Sequence, residues 1–207
     1  MMMVITTVLV ALITAIIGPI MVSWARLKME KKSDKTPMRE ALDASSIIDA
    51  QIENILSELE CDRVWISQFH NGGHFYPTGK SIQKFSIFYE KSTPNLPPLL
   101  HTFQNIPVSL FPRVLSKVYQ DQEISVEDVS TAEDTYGLEY MTTQFGTKSM
   151  CAVGLYSLDN HLIGVLNISY KESHRITRDE WILIRQKAGA IGTLLSEYLY
   201  ATNNNKK

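Results

Sequence analysis

Two imidazoles four residues apart, His70 and His74, come nearest of any side chains in this 207-residue chain to a spacing that does chemistry. On a helix that spacing would set both rings on one face, as a metal requires. Gly72 and Gly73 lie between them, and a glycine pair belongs to a turn, so the helical argument fails. A loop that gathered the rings with His101 or Asp62 would still need outer partners to orient them, and the spacing marks none. General acid or base work by His70 would need a nucleophile, and no Ser or Cys is placed beside it. The plainer reading is a polar loop whose histidines bond to nearby backbone, with no catalytic residue and no metal ligand. A metal-dependent or acid–base enzyme built on His70 and His74 is the minority alternative. The two cysteines, Cys61 and Cys151, form neither a disulfide framework nor a CxxC site, and they suit a reducing compartment as ordinary buried thiols.

The histidines belong to Trp65–Tyr76, WISQFHNGGHFY, an apolar strand that enters an Asn71-Gly72-Gly73 turn. Residues tolerant of positive φ let the chain turn sharply there and let a ligand or another backbone come close. The elements that must position this stretch are read outward from it. Upstream, Val4 to Trp24 carries no charge, and about 20 apolar residues span a bilayer, so residues 1–25 read as a transmembrane anchor with residues 4–24 in the membrane. Arg26, Lys28, Lys31, Lys32, Lys35 and Arg39 follow in a basic linker, residues 26–40. By the positive-inside rule the N-terminus lies outside and the C-terminal domain is cytoplasmic. The remainder is acidic without a basic stripe, which argues against nucleic acid as a partner. Thr36 caps a helix whose first residue is Pro37. Along it Ala41, Ser45, Ile48, Ile52, Ile55 and Leu59 recur at four and three, heptad spacing suited to the domain's own core, to a second copy, or to both.

Downstream of the turn, Phe85 to Glu90 reads as a strand, and three prolines between Ser92 and Pro98 mark a surface loop. A helix follows from about Leu110 to Gln120 with Pro112 in its first turn. Glu123 to Val129 reads as a short edge strand, and Thr131 to Phe145 as a lid helix ended by Gly146. The hairpin Met150 to Tyr170, turning at Asp159-Asn160, supplies central strands. Thr177 and Glu180 form a capping box that starts a helix at Arg178, and Trp181, Ile184, Ala188, Ile191, Leu195 and Tyr198 give it an apolar stripe. Residues 201–207 are expected to be a disordered tail.

The stretch GLYSLDNHLIGVLNISYKESHRITRDEWILIRQKAGAIGTLL, Gly154 to Leu195, resembles the closing strand pair and final helix of GAF domains. Element order extends the resemblance over roughly Ala41 to Tyr200. It implies an α+β fold for residues 41–200, preceded by one transmembrane helix. A GAF-like central antiparallel sheet would carry terminal helices on one face and middle helices covering the other. In family members that bind ligands, the pocket lies on that second face. Departures narrow the choice. No NKFDE-type motif supports a cyclic nucleotide, and neither cysteine matches a bilin attachment setting. The cysteine set of the methionine sulfoxide reductases is absent, and HNGGHFYPTG has no counterpart.

Strand alternation locates the pocket face. If Leu166 and Ile168 pack under the terminal helices, Asn167 and Ser169 point the other way; Ser67 and Phe69 join them if Val64 and Ile66 face the helices. A buried Asn in an apolar strand needs protein, water or a ligand as its partner. Phe75, Tyr76, Phe85, Tyr89 and Phe103 are the aromatic candidates for the lining. The expected ligand-binding set is Ser67, Phe69, His70, Asn71, His74, Tyr76, Phe85, Asn167 and Ser169, with the cofactor left unnamed. The function expected is a membrane-anchored cytoplasmic sensory or regulatory module that binds an unknown small molecule or protein, as a homodimer through helices 41–59 and 178–200. A ligand-free membrane-tethered scaffold is the alternative.

Overall fold

The computed structural model describes residues 37–74, 78–139 and 144–204. The apolar run 4–24, the basic cluster up to Thr36, and Phe75 and Tyr76 lie outside the described residues. Among those described, no helix is long and apolar enough to cross a membrane. The chain divides between Leu42 and Asp43 into two compact units, and the architecture below is that of the second.

The elements run α1 (Pro37–Glu58), β1 (Arg63–His74), β2 (Ser81–Ser92), β3 (Ile106–Pro107), α2 (Pro112–Asp121), β4 (Glu123–Val126), β5 (Ser149–Tyr156), β6 (Leu162–Tyr170) and α3 (Arg178–Asn204). The strands form one antiparallel sheet in the order β3-β2-β1-β6-β5-β4. One face is covered by α1 and α3. Ile48, Ile52, Ile55, Ile184 and Ile191 meet Val64, Ile66, Leu166 and Ile168 in a fully buried aliphatic layer. At about 25 cal/mol per Å² of apolar surface removed from water, such a layer dominates the stability of the domain. The capping box forms as its residues require: Thr177 N donates to Glu180 Oε2 at 2.7 Å and Glu180 N donates to Thr177 Oγ1 at 3.3 Å. Gly192 lets α3 lie close on β5, since a Cβ there would stand 2.6 Å from the Tyr156 carbonyl oxygen.

The structure departs from the sequence expectations at four places. The Asn71-Gly72-Gly73 segment is not the turn; β1 runs through it to His74, pairing Asn71 with Gln83 and His74 with Ser81 across an irregular register. Gly73, at φ +78°, absorbs the irregularity inside the ladder. The segment 131–138 is a series of turns, because Tyr136 and Gly137 both adopt positive φ (52° and 82°) and no helix passes such a pair. Helix is present only at 139 and 144–145 among the described residues, and Gly146 takes the left-handed conformation expected of it. At the C-terminus, α3 continues to Asn204, so the first four residues of the expected tail are helical. Finally, Tyr89 belongs to the helix side, where its hydroxyl meets Ser45 Oγ at 3.1 Å. A register shift between Ile66 and Ser67 leaves Phe88 unpaired and exchanges the faces of β2 beyond it, so Ile87 faces one way and Tyr89 the other.

Candidate functional site

The second face of the sheet is covered by mid-chain segments, and between them and the sheet lies a cavity of about 60 Å³. Its floor comes from four strands: Trp65, Ser67 and Phe69 of β1, Phe85 and Ile87 of β2, Met150 of β5, and Val165 and Asn167 of β6. The register explains the set, since Trp65 stands opposite Asn167 and Ser67 opposite Val165. Its roof is Phe103, Phe111, three side chains of α2 (Val114, Leu115, Val118), and Leu138. The rings interlock edge to face, Phe85 with Phe111 at 5.7 Å and Phe103 with Phe145 at 5.5 Å.

Among the described residues the lining is apolar apart from the Trp65 indole N–H, the Ser67 hydroxyl and the Asn167 amide. Asn167 is 8% exposed; its Nδ2 donates to the Val165 carbonyl at 3.0 Å and reaches Ser67 Oγ at 3.5 Å. It is a polar side chain held in an apolar setting, and such a group is satisfied by protein, water or a ligand.

At one end of the same face the cover is fastened by a buried ion pair. Arg63 is fully buried and its Nε lies 3.3 Å from Glu90 Oε1. The alignment there is too poor for a hydrogen bond, so the contact is ionic. The other guanidinium nitrogens donate to the Pro97 carbonyl at 2.7 Å and the Phe145 carbonyl at 3.3 Å. Glu90 in turn accepts from Leu99 N and Leu100 N, at 2.9 Å and 2.8 Å on Oε2. Burial lowers the Arg63 pKa, opposed by the charges of Glu90 and Asp62. Both ions have partners on several sides, as burial of charge demands.

Of the residues expected from sequence, Ser67, Phe69, Phe85 and Asn167 meet at the cavity. Ser169 shares their face but lies beyond the cavity, opposite Arg63, with Thr147 Oγ1 donating to it at 3.4 Å. His70 turns away because it follows Phe69 on a strand; its Nε2 meets Ser86 Oγ at 2.9 Å and its ring edges Phe88. Asn71 and His74 are exposed on a two-stranded ribbon, since β6 stops pairing with β1 at Gln68. Tyr76 lies outside the described residues. No cluster that could hold a metal occurs among the described residues. Sequence reasoning did not pick out Trp65, Ile87, Met150 and Val165, although the same alternation that found Ser67 and Asn167 marks Trp65 and Val165. It also passed over the roof of α2 and the Arg63–Glu90 pair, which no local spacing announces. Both cysteines sit in the aliphatic layer on the opposite side of the sheet. Burial pushes the Cys61 thiol up to about 12 and raises that of Cys151 as well, so neither offers a thiolate.

A six-stranded antiparallel sheet with its terminal helices on one face and an apolar cavity under mid-chain segments on the other defines an α+β domain of GAF-like fold. Solved structures with this architecture include three cyanobacterial examples. The photoproduct state of a GAF domain from Synechocystis matches with TM-score 0.60 and 18% identity, over 79% of this chain and 99% of that one. The blue-light absorbing PixJ GAF domain of Thermosynechococcus elongatus gives TM-score 0.62 and 16% identity, over 80% and 92%. The phycocyanobilin-bound GAF domain of a cyanobacterial phytochrome gives TM-score 0.61 and 23% identity, over 78% and 88%. No protein-family model and no curated protein matches the sequence.

Proposed function

We propose that this chain is a sensory or regulatory module that binds a small molecule in the cavity beneath α2. The observation that carries the reading is Asn167, a buried polar side chain on the floor of an otherwise apolar, ring-lined space. The phycocyanobilin of one structural neighbour is not the ligand proposed. Drug-sized ligands occupy about 300–1,000 Å³ against the 60 Å³ here, and both thiols lie across the sheet from the cavity. Residues 4–24 are proposed to anchor the module in a membrane, N-terminus outside and domain in the cytoplasm. Two copies are proposed to pair through helices 41–59 and 178–200. Ile48 and Ile52 are spent on the domain's own core, so a second copy would meet the outer faces, where Ile47 and Ile182 are exposed.

Native mass spectrometry of the full chain released from detergent tests these points together. A retained small mass that is lost in Asn167→Leu is expected, on a dimeric species. A purely monomeric spectrum removes the dimer, and extraction of the chain from membranes by alkali removes the anchor. A spectrum without any retained mass favours the second reading, a tethered scaffold that works through protein contacts; the small volume of the cavity is the observation on its side.

A further inference from the structure

We infer that the hollow between the C-terminus of α1 and the N-terminus of α3 binds a guanidinium group. The hollow lies on the helix side of the sheet, and the inference stands apart from the ligand-binding reading of the cavity beneath α2.

Three observations lead to it. The first is an orphaned hydroxyl. Tyr170, the last residue of β6, lines the hollow and is 6% exposed, and its Oη has no hydrogen-bond partner among the described residues. Burial raises the phenol above its ordinary range, so it stays protonated and carries both a donor and acceptor places. A buried hydroxyl without a partner needs a reason, and an N–H group entering the hollow supplies one.

The second observation is charge. The hollow, about 320 Å³ and open to solvent, is lined by Glu58, Glu60 and Glu180 together with Leu59, Tyr170 and His174. The positive groups in reach are already taken: Lys187 pairs with Glu58 at 2.8 Å, and Glu180 accepts from Thr177 N at the start of α3 and meets His174 Nε2 at 3.0 Å. The exposed carboxylate of Glu60 has no partner among the described residues. No basic residue stands in the last turn of α1, so the negative end of that helix adds to the carboxylates.

The third observation is shape. Among the described residues no group of carboxylates and imidazoles gathers closely enough to hold a metal ion, so a point charge does not fit this hollow. A guanidinium spreads its charge over a plane and carries five N–H donors in a fixed fork, which suits acceptors set apart around an open space. The rings of Tyr170 and His174 are nearly parallel, 4.0 Å apart at 22°, and a guanidinium packs on such planes.

The test uses three probes on the full chain in detergent, at an ionic strength held constant with sodium chloride: methylguanidinium, N-acetylarginine amide, and urea as an uncharged molecule of guanidinium shape. The Cε1–Hε1 resonance of 13C-labelled His174, assigned with His174→Gln, reports occupancy. Ligands of this size bind in the millimolar range at best, below the molar concentrations at which guanidinium unfolds proteins. Methylguanidinium should shift the signal saturably and urea should not. Glu60→Gln, at an exposed position, should weaken binding about threefold and Tyr170→Phe roughly tenfold. Tyr170→Phe should leave the urea midpoint of the unliganded protein where it is, because the hydroxyl it removes has no partner. N-acetylarginine amide binding as tightly as methylguanidinium supports the inference and assigns the group to a side chain of a protein partner; methylguanidinium binding alone supports it and assigns a free guanidine. No saturable shift, equal binding of urea, or binding unchanged in either variant overturns the inference and leaves the reading of the cavity beneath α2 untouched. A large drop in midpoint for Tyr170→Phe also overturns it, since a buried water would then already satisfy the hydroxyl.

Discussion

The two faces of the sheet share the same strands yet are built differently. Under α1 and α3 the layer is aliphatic, with Ile48, Ile52, Ile55, Ile66, Leu166, Ile168 and Ile191 all without exposed surface. Two long regular helices present evenly spaced side chains to it, and such surfaces interlock to interior density. On the other face the cover is a ten-residue helix, a three-residue 3-10 turn and a run of turns with positive φ. Its contacts are rings of Phe85, Phe103, Phe111 and Phe145 meeting at an angle. Irregular backbone carrying large planar side chains fills space unevenly and leaves a gap. The difference separates two tasks: the helix side holds the domain together, and the cavity side holds the room in which something can bind.

The sharpest way to break that division is to attack the one feature of the cavity side that is built for holding. Glu90→Gln leaves Arg63 charged and fully buried without its counter-ion, and removal of one partner from a buried pair costs about 3–5 kcal/mol. Urea denaturation should show a lowered midpoint of that size, and hydrogen exchange should rise first at the Leu99 and Leu100 amides that Glu90 receives. A loss under about 1 kcal/mol would mean that the pair behaves like a surface contact and does not fasten the cover.

The next comparison sets the faces directly against each other. Ile52→Ala opens a hole in the aliphatic layer and should cost about 2–5 kcal/mol. Phe69→Leu, at the half-buried rim of the cavity, should cost less than about 1.5 kcal/mol, because the side chain already borders empty space. The two denaturation curves decide it. If the Phe69 variant loses more than the Ile52 variant, the cavity side is no looser than the helix side.

How much of this was legible in the sequence follows the same line. Every residue of the aliphatic layer that was read from periodicity lies where the period put it, because a regular helix and a regular strand carry their facing in their spacing. The same logic found Ser67 and Asn167. It failed at Tyr89, where a bulge between Ile66 and Ser67 breaks the period of two without leaving a Gly or Pro as a marker. His70 and His74 lie away from the cavity for a different reason: His70 follows Phe69 on the strand, and His74 stands beyond Gln68, where β6 stops pairing with β1. The turns at 131–138 were misread as helix because positive φ at Tyr136 is imposed by the surrounding structure, with only Gly137 as a local sign. Arg63 and Glu90 are 27 positions apart in the chain, and only the β1–β2 register brings them together.

A contact that belongs to neither face supplies the control, and its effect is the smallest of the series. Asp128, in the loop after β4, accepts hydrogen bonds from Ser130 N at 2.9 Å, from Ser130 Oγ, and from Ser173 Oγ, with Lys148 Nζ at 3.8 Å. The Ser130 and Ser173 hydroxyls lead in lowering its carboxyl from 3.8 to about 2. A depressed folded-state value means that the ionised form favours folding. The contribution is therefore whole above the unfolded value of 3.8 and drains away as pH falls toward 2. Asp128→Asn removes that ionisation. The gap in urea midpoint between the parent and the variant should be open at pH 5, narrower at pH 3, and close only as pH falls through about 2, while the gap produced by Ile52→Ala should not move with pH over that range. A gap at Asp128 that stays constant from pH 5 to pH 2 would assign its effect to lost packing and not to charge. The linkage would then no longer separate the loop from the aliphatic layer it is meant to be measured against.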